Sequence, residues 1–549
     1  MRNGWNFADI WEWVADHLPD APGQVQGDRR FTWAEMDRRA DGIAAVLLAG
    51  GAGHQDKVAQ YLHNAPEYLE SMFGIYKAAL VPVNTNYRYT DDELVHLWTN
   101  ADAVAVIFHG SFADRVGRVR HRVPAVATWV HVAGGSEAPC PPWAIPYEEA
   151  AVSASSRTGA PWGRSGDDLY ILYTGGTTGT PKGVMWRQDD VVGSLDSGSR
   201  RPLPADPSAA ALAERLVGPG PVNLPAAPLM HGTGAFNAMW NLALAGSVVT
   251  LSGRSFDVVE LLDTCQREQV KSISIVGDAF AKPMLRALDA EPGRWDISSL
   301  RVVVSSGVMW SAETKTGLLR HNPRLILLDS LGSSEAIGMA NATTTAGGTS
   351  ATARFRLGPQ TRVLTADGRD VAPGSGERGR VAQAGRMPVG YYKDAEKSAA
   401  TFAVIDGVRY SIPGDWAEVE ADGTVKLLGR GSQCINTGGE KVYPEEVEEV
   451  LKEHPAVADA AVVGLPDERF GEAVTALVEP LPGCRLDPDE VIAHVKAHLA
   501  AFKAPKRVIE VASIGRAANG KLDYRRLKVV AENRIGAAEP GHPEPGALV

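Results

Sequence analysis

Short β-branched runs that end in Gly, Ser or Asn recur through the first 430 residues, and amphipathic helical patterns separate them. Residues 104–108 (VAVIF), 272–276 (SISIV), 301–304 (RVVV) and 324–328 (RLILL) are examples of the runs. The helical stretches between them include 258–268 and 281–289, the second with Pro283 in its first turn. A run apolar on both faces must be covered on both sides, so this alternation predicts largely parallel sheets flanked by helices. Thr90-Asp91-Asp92-Glu93 ahead of Leu94 and Val95 has the spacing of a reciprocal N-terminal cap.

The pattern changes after Gly358. Glycines become dense, and residues 416–420 and 424–428 flank Asp422-Gly423, a hairpin signal. Beyond Arg430, Pro444 opens a predicted helix with Val447, Val450 and Leu451 as its buried stripe. Two strand-like runs (456–464 and 473–477) and helices over 488–501 and 523–533 follow, giving a separate small α+β domain. With 549 residues, one hydrophobic core is not enough. We therefore divide the chain into a large domain over 1–429, a hinge at 430–432 and a small domain over 433–536. The Pro-, Gly- and Glu-rich residues 537–549 read as a disordered tail.

Composition narrows the function. A net charge of −11 supplies no basic field for nucleic acid. No uninterrupted apolar run is long enough to span a bilayer, and residues 1–13 lack a signal-peptide core. Cys140, Cys265, Cys434 and Cys484 lie far apart without metal-ligand spacing, as suits a reducing cytoplasm. Nothing marks an oligomer interface, so a homo-oligomer stays open.

The strongest local signal is Tyr173-Thr174-Gly175-Gly176-Thr177-Thr178-Gly179-Thr180-Pro181-Lys182-Gly183, directly after the strand-like Leu169-Tyr170-Ile171-Leu172. Glycines let backbone N–H groups face a polyphosphate, threonines add hydroxyl donors and Lys182 adds charge. Glycines alone would mark only a surface loop. The threonines and the lysine, placed after a buried strand, argue for phosphate. The spacing fits neither a Walker A loop nor Gly-x-Gly-x-x-Gly.

This loop resembles the phosphate signature of the adenylate-forming superfamily of acyl-CoA synthetases, adenylation domains and luciferases. Further matches follow in the family's order. Pro228-Leu229-Met230-His231-Gly232 is similar to the motif bordering the acyl pocket, and Ser305-Ser306-Gly307 to the turn on the adenine. Asp329-Ser330-Leu331-Gly332-Ser333-Ser334-Glu335 is similar to the adenine and magnesium motif, and Tyr410-Ser411-Ile412-Pro413-Gly414-Asp415 to the ribose motif. Leu428-Gly429-Arg430 resembles the start of the hinge and Asn519-Gly520-Lys521 the segment of the catalytic lysine. The resemblance is nearest to bacterial long-chain and steroid-side-chain CoA ligases. It implies an α/β large domain with a distorted β-barrel lobe and a small mobile α+β C-terminal domain.

It also implies a chemistry. A carboxylate attacks the α-phosphate of ATP, and the acyl-adenylate then passes to coenzyme A, releasing AMP and pyrophosphate. By resemblance, Lys521 steadies charge between carboxylate and phosphate, His231 borders the acyl pocket, and Glu335 holds Mg²⁺ with Thr177. Thr174, Gly175, Gly176, Thr177, Thr178 and Lys182 would cradle the phosphates. Ser306, Gly307, Asp329, Ser330, Leu331, Gly332, Ser333 and Ser334 would take the adenine, with Asp415 and Arg430 at the ribose. Gly438 and Gly439 would let pantetheine pass the backbone, and Lys441 would meet a phosphate there or stand in solvent.

There are departures. Ser432 stands where the family usually has Asp or Lys at the hinge, Leu331 where an aromatic ring is frequent, and Ser334 where threonine is common. Other acceptors share the same nucleotide motifs: a carrier-protein thiol, an amine, or nitrite with an aromatic amine in an ATP-dependent diazotase. The acyl pocket, expected near His231, Ala235, 277–280 and 306–310, would decide. Phe280 and Trp310 would narrow it for a flat or short substrate, or belong to the core.

Overall fold

The computed structural model describes residues 4–136, 138–174, 181–308, 310–348, 352–437, 440–467, 471–499, 501–517 and 520–536. Gly175, Gly176, Thr177, Thr178, Gly438, Gly439, Asn519 and the tail 537–549 therefore lie outside the described residues, as do the side chains of Arg430, Ser432 and Lys441. The chain forms two compact units. The first is Met1–Thr352, Leu357–Thr361 and Ala382–Pro413; the second is Ala353–Arg356, Arg362–Val381 and Gly414–Val549.

The first unit holds two sheets. One runs in the spatial order Gly390–Tyr391, Lys182–Arg187, Leu169–Thr174, Val81–Asn84, Lys57–Tyr61, Ala103–His109, Thr128–Val132, Ile145–Pro146. It is parallel from Leu169–Thr174 onward and antiparallel at its first two strands. The other runs Arg29–Thr32, Pro22–Gln26, Ser247–Thr250, Val222–Pro225, Ser272–Ile275, Val302–Ser306, Ile326–Ser333, Ala336–Thr344. Its six inner strands are parallel and its two outermost pairings antiparallel. The parallel arrangement expected from the doubly apolar runs is present. Each was placed within a few residues, and 324–328 lengthens to Ile326–Ser333.

Local signals explain several element ends. Thr90 accepts from the Glu93 amide while Glu93 accepts from the Thr90 amide, so the reciprocal cap forms. The helix expected at 281–289 is Asp278–Ala290, which moves Pro283 from the first turn into the second. It starts early because Gly277, at φ +51°, turns the chain and its amide donates to Ser305 Oγ at 2.9 Å. A proline there forfeits one helical hydrogen bond but leaves the first-turn amides to their own partners.

The second unit contains the antiparallel strands Val425–Arg430 and Asp415–Val419 and all but the last residues of Arg354–Leu357 and Arg378–Gln383. The hairpin at Asp422-Gly423 is as read: Gly423 has φ +81° and Asp422 accepts from the Thr424 amide at 2.9 Å. A five-stranded sheet follows, with Glu440–Val442, Ile435–Thr437, Gly471–Pro480 and Val457–Asp467 antiparallel, and Arg507–Glu510 parallel to Gly471–Pro480. Helices Pro444–Glu453 and Pro488–His498 cover one core, containing Val447, Leu451, Val491 and Val495. Helix Tyr524–Gly536 covers another through Leu527 and Ala531. Among the described residues, no helix is long and apolar enough to cross a membrane.

Close packing is tightest where helices Trp33–Ala49 and Pro66–Lys77 meet. A Cβ on Gly74 would lie 2.7 Å from the Ala40 carbonyl oxygen and 2.9 Å from Ile43 Cβ. Gly74→Val is therefore expected to destabilise the protein by about 1–3 kcal/mol through overpacking. The check is the urea midpoint, and an unchanged value would contradict the close approach.

Candidate active site

The glycine-rich connection joins two strands in antiparallel register, from Leu169 opposite Arg187 to Thr174 opposite Lys182. That pairing brings Thr174 and Lys182 together at the two ends of the connection. Gly183 is required within it: a Cβ there would meet the Tyr173 ring at 2.8 Å and Ile171 at 2.9 Å.

Side chains lock this hairpin to its surroundings. Asn84, buried at the end of its strand, accepts from the Tyr173 amide at 2.6 Å and donates to the Tyr173 carbonyl at 2.8 Å. It also donates to the Met230 carbonyl at 2.7 Å, which ties the residue before His231 to the strand leading into the glycines. Asn64 holds the other end of that turn, accepting from the Leu229 amide and donating to the carbonyls of Pro225 and Ala227. His231 then occupies the N-cap position of helix Gly232–Ala243, where a Cβ on Gly234 would collide with the Pro228 carbonyl.

Across the hairpin, the Trp186 indole donates to the Ser334 carbonyl at 2.8 Å, and Ser411 Oγ donates to the Glu335 carbonyl at 2.7 Å. Glu335 is buried, and its Oε1 accepts from the Tyr391 hydroxyl at 2.8 Å. Tyr391 lies opposite Val184 on the neighbouring strand. Lys182 Nζ pairs with Asp394 Oδ2 at 2.8 Å and sits 5.8 Å from the Tyr391 ring centre. The hydrogen bond from Lys182 holds the Asp394 carboxyl below its usual range. Lys182 and Glu335 are thus brought together through Tyr391.

The second sheet contributes residues of two neighbouring parallel strands, Val302–Ser306 and Ile326–Ser333. Ser306 lies opposite Ser330, Ser305 opposite Asp329, and Gly307 turns away at φ +90°. The carboxyl ends of parallel strands are where open α/β sheets bind ligands. Leu331 is buried, and the register shifts between it and Ser333 at Gly332, whose Cβ would press on the Ala336 carbonyl at 3.1 Å. Asp329 is buried and pairs with the buried Lys315 at 3.0 Å. Burial pushes its carboxyl up and Lys315 pulls it back. One of its oxygens therefore serves a structural ion pair.

In the second unit, Asp415 is buried and stands opposite Arg430 across the hairpin, and the Gly431 amide donates to the Gly414 carbonyl at 3.1 Å. Gly429, at φ +105°, admits the Glu445 carboxylate where a Cβ would stand. Lys521 is exposed on a separate turn, closed by the Ala517 amide on the Lys521 carbonyl at 2.9 Å. Arg516 braces that turn, donating to the Gly520 carbonyl and gripping Asp459 through two bonds of 2.6 and 2.8 Å.

Asn64, Asn84, Lys315, Tyr391, Asp394 and Arg516 were not singled out from the sequence. Asn84 carried a usable signal, an asparagine closing a β-branched run. The others sit in ordinary contexts and gain meaning only from their partners. Phe280 and Trp310 are core residues, packed with Ile275, Met284 and Leu318.

A lysine-closed hairpin beside the carboxyl ends of parallel strands offers the elements that a nucleotide-binding site needs. The chain matches the AMP-binding enzyme family over residues 11–392 and that family's C-terminal domain over 446–521. The protein belongs to this family and is an ATP-dependent, AMP-forming acid–CoA ligase. It is 40% identical over 538 residues to a medium/long-chain-fatty-acid–CoA and 3-oxocholest-4-en-26-oate–CoA ligase of Mycolicibacterium smegmatis, covering 96% of this chain and 97% of that one. It is 41% identical to the 3-oxocholest-4-en-26-oate–CoA ligase of Rhodococcus rhodochrous, covering 95% of each. Among solved structures, ATP-bound MatB from Rhodopseudomonas palustris superposes with a TM-score of 0.78 at 26% identity, covering 96% of this chain and 99% of that one.

Asn84→Ala would leave the Tyr173 amide and the Met230 carbonyl without their partner. Each buried group so orphaned costs about 1–3 kcal/mol. A lower urea midpoint together with a roughly tenfold fall in ATP-dependent pyrophosphate release is expected, since about 1.4 kcal/mol of barrier is one decade. Wild-type values in both assays would remove Asn84 from the site's support.

Proposed function

We propose that this ligase activates an apolar carboxylic acid of the medium-chain, long-chain or steroid-side-chain kind and passes it to coenzyme A. The substrate class rests on the two relatives, whose names specify such acids and whose match runs along nearly the whole chain. The observation that carries the adenylation site is the Lys182–Asp394 and Tyr391–Glu335 pairing beside the glycine-rich connection. The co-substrates ATP and CoA point to the cytoplasm as the compartment.

In this reading the backbone amides of 175–178 and the Thr174, Thr177 and Thr178 hydroxyls hold the phosphates. Lys182 adds positive charge there, released from Asp394 or shared with it. Ser306, Gly307 and the 329–334 segment border the adenine; Asp329, already bound to Lys315, offers its second oxygen. Asp415 accepts from the ribose hydroxyls, with Arg430 beside it. His231 borders the acyl group, and the small domain turns at 430–432 between the half-reactions.

Glu335 suits Mg²⁺: it supplies a hard carboxylate oxygen, and the Tyr391 hydroxyl fixes its orientation. With Thr177 it would hold the ion, which neutralises phosphate charge when bound. Lys521 steadies the negative charge that develops between the carboxylate and the α-phosphate, in a position where fixed donors contribute most.

Mass spectrometry of products with ATP, Mg²⁺, CoA and a mixed panel tests the reading. The panel holds octanoate, palmitate, a cholestenoic acid, benzoate and anthranilate, with nitrite plus an aromatic amine in separate wells. Fatty or steroidal acyl-CoA is expected. Thioesters of the aromatic acids alone, or a diazonium product, would overturn it. Lys521→Ala should lower the adenylation rate by about 10²–10³, the scale for one preorganised charge-stabilising group, without loss of folding. Unchanged pyrophosphate release from that variant would refute the role given to Lys521.

A further inference from the structure

Away from the nucleotide residues, the second unit carries a group of imidazoles that the reaction does not use. His494 and His498 are four residues apart on helix Pro488–His498 and so share one face. Glu453 closes the adjacent helix Pro444–Glu453. One donor atom from each of Glu453, His494 and His498 lies within 4.8 Å of the other two. Glu453 and His498 are exposed and His494 is half-buried, so solute can reach all three.

Hydrogen bonds assign the tautomers. His494 Nε2 lies 3.1 Å from the Val450 carbonyl oxygen, and a carbonyl can only accept. The proton of neutral His494 is therefore on Nε2, which leaves a lone pair at Nδ1. His498 Nδ1 lies 2.8 Å from the His494 carbonyl oxygen, so its lone pair is at Nε2. Each ring is oriented by a backbone acceptor at one nitrogen and bears a donor pair at the other, as metal-binding imidazoles do. The two rings are 4.5 Å apart between centres. His454 packs edge-on against His494 but accepts the Ala456 amide at Nδ1, which puts its proton on Nε2 and keeps it out of the donor set. The nearby Lys452 ammonium is 3.9 Å from Asp459.

We propose that Glu453, His494 and His498 bind a divalent cation of the zinc, nickel or copper group and so pin the end of one helix to its neighbour. Two imidazoles and one carboxylate suit these borderline ions, whereas Mg²⁺ and Ca²⁺ take sets of oxygens. Three protein donors leave room for water in a tetrahedral shell. The two helices cover one core of the unit, so an ion bound only when both are folded stabilises that core.

The test is calorimetric titration of the EDTA-treated full chain with ZnCl₂, in excess Mg²⁺ and without ATP, followed by thermal melting with and without zinc. One equivalent of zinc and a raised melting temperature are expected. His498→Gln and Glu453→Gln, both at exposed positions, should each melt like wild type in EDTA and weaken zinc binding at least about tenfold. Zinc binding by both variants at wild-type affinity would overturn the proposal, as would the absence of a zinc equivalent in the wild type.

Discussion

Backbone pairing between Leu169–Thr174 and Lys182–Arg187 is the interaction on which the candidate site of the first unit depends. It fixes Thr174 and Lys182, the described residues on either side of the glycine-rich connection. Three neighbours then take their positions from the hairpin. Asn84 carries it to the turn before His231, Trp186 to Ser334, and the strand bearing Tyr391 to Glu335. Without that register, Thr174 and Lys182 would not face each other, and Glu335 would have no fixed relation to either.

Two ion pairs set segments of the candidate site. Lys315 and Asp329 pair within the first unit with both side chains largely buried, and Arg516 and Asp459 clamp the turn ahead of Lys521. A buried pair is weak evidence for net stability, because desolvating both ions offsets much of their attraction. Its specificity is clearer: removing either partner leaves an uncompensated charge, so the segment can hold only the paired arrangement. Asp329 is thus held by a lysine from the preceding helix, and the segment of Lys521 by an aspartate 57 residues from Arg516.

Local signals were legible where one residue dictates its own backbone. The Thr90–Glu93 cap, the Asp422-Gly423 hairpin and the parallel strands at 104–108 and 272–276 came from chemistry within a few residues. The start of helix Asp278–Ala290 was not legible, because it is set by Gly277 bonding to Ser305 on another strand. The roles of Phe280 and Trp310 were equally hidden: an aromatic ring in the sequence does not say whether it lines a pocket or fills a core.

The sequence by itself determined the chemistry on offer: a glycine- and threonine-rich loop closed by lysine, carboxylates at Asp329, Glu335 and Asp415, and a basic residue at 521. It also determined that the strands would be parallel and covered, because runs apolar on both faces cannot face water. Only the tertiary structure decided which of these groups meet. Lys182 reaches Asp394 across more than two hundred residues of chain, and Tyr391 reaches Glu335 across more than fifty. Such contacts are decided by sheet order and register, which no local pattern of residues encodes.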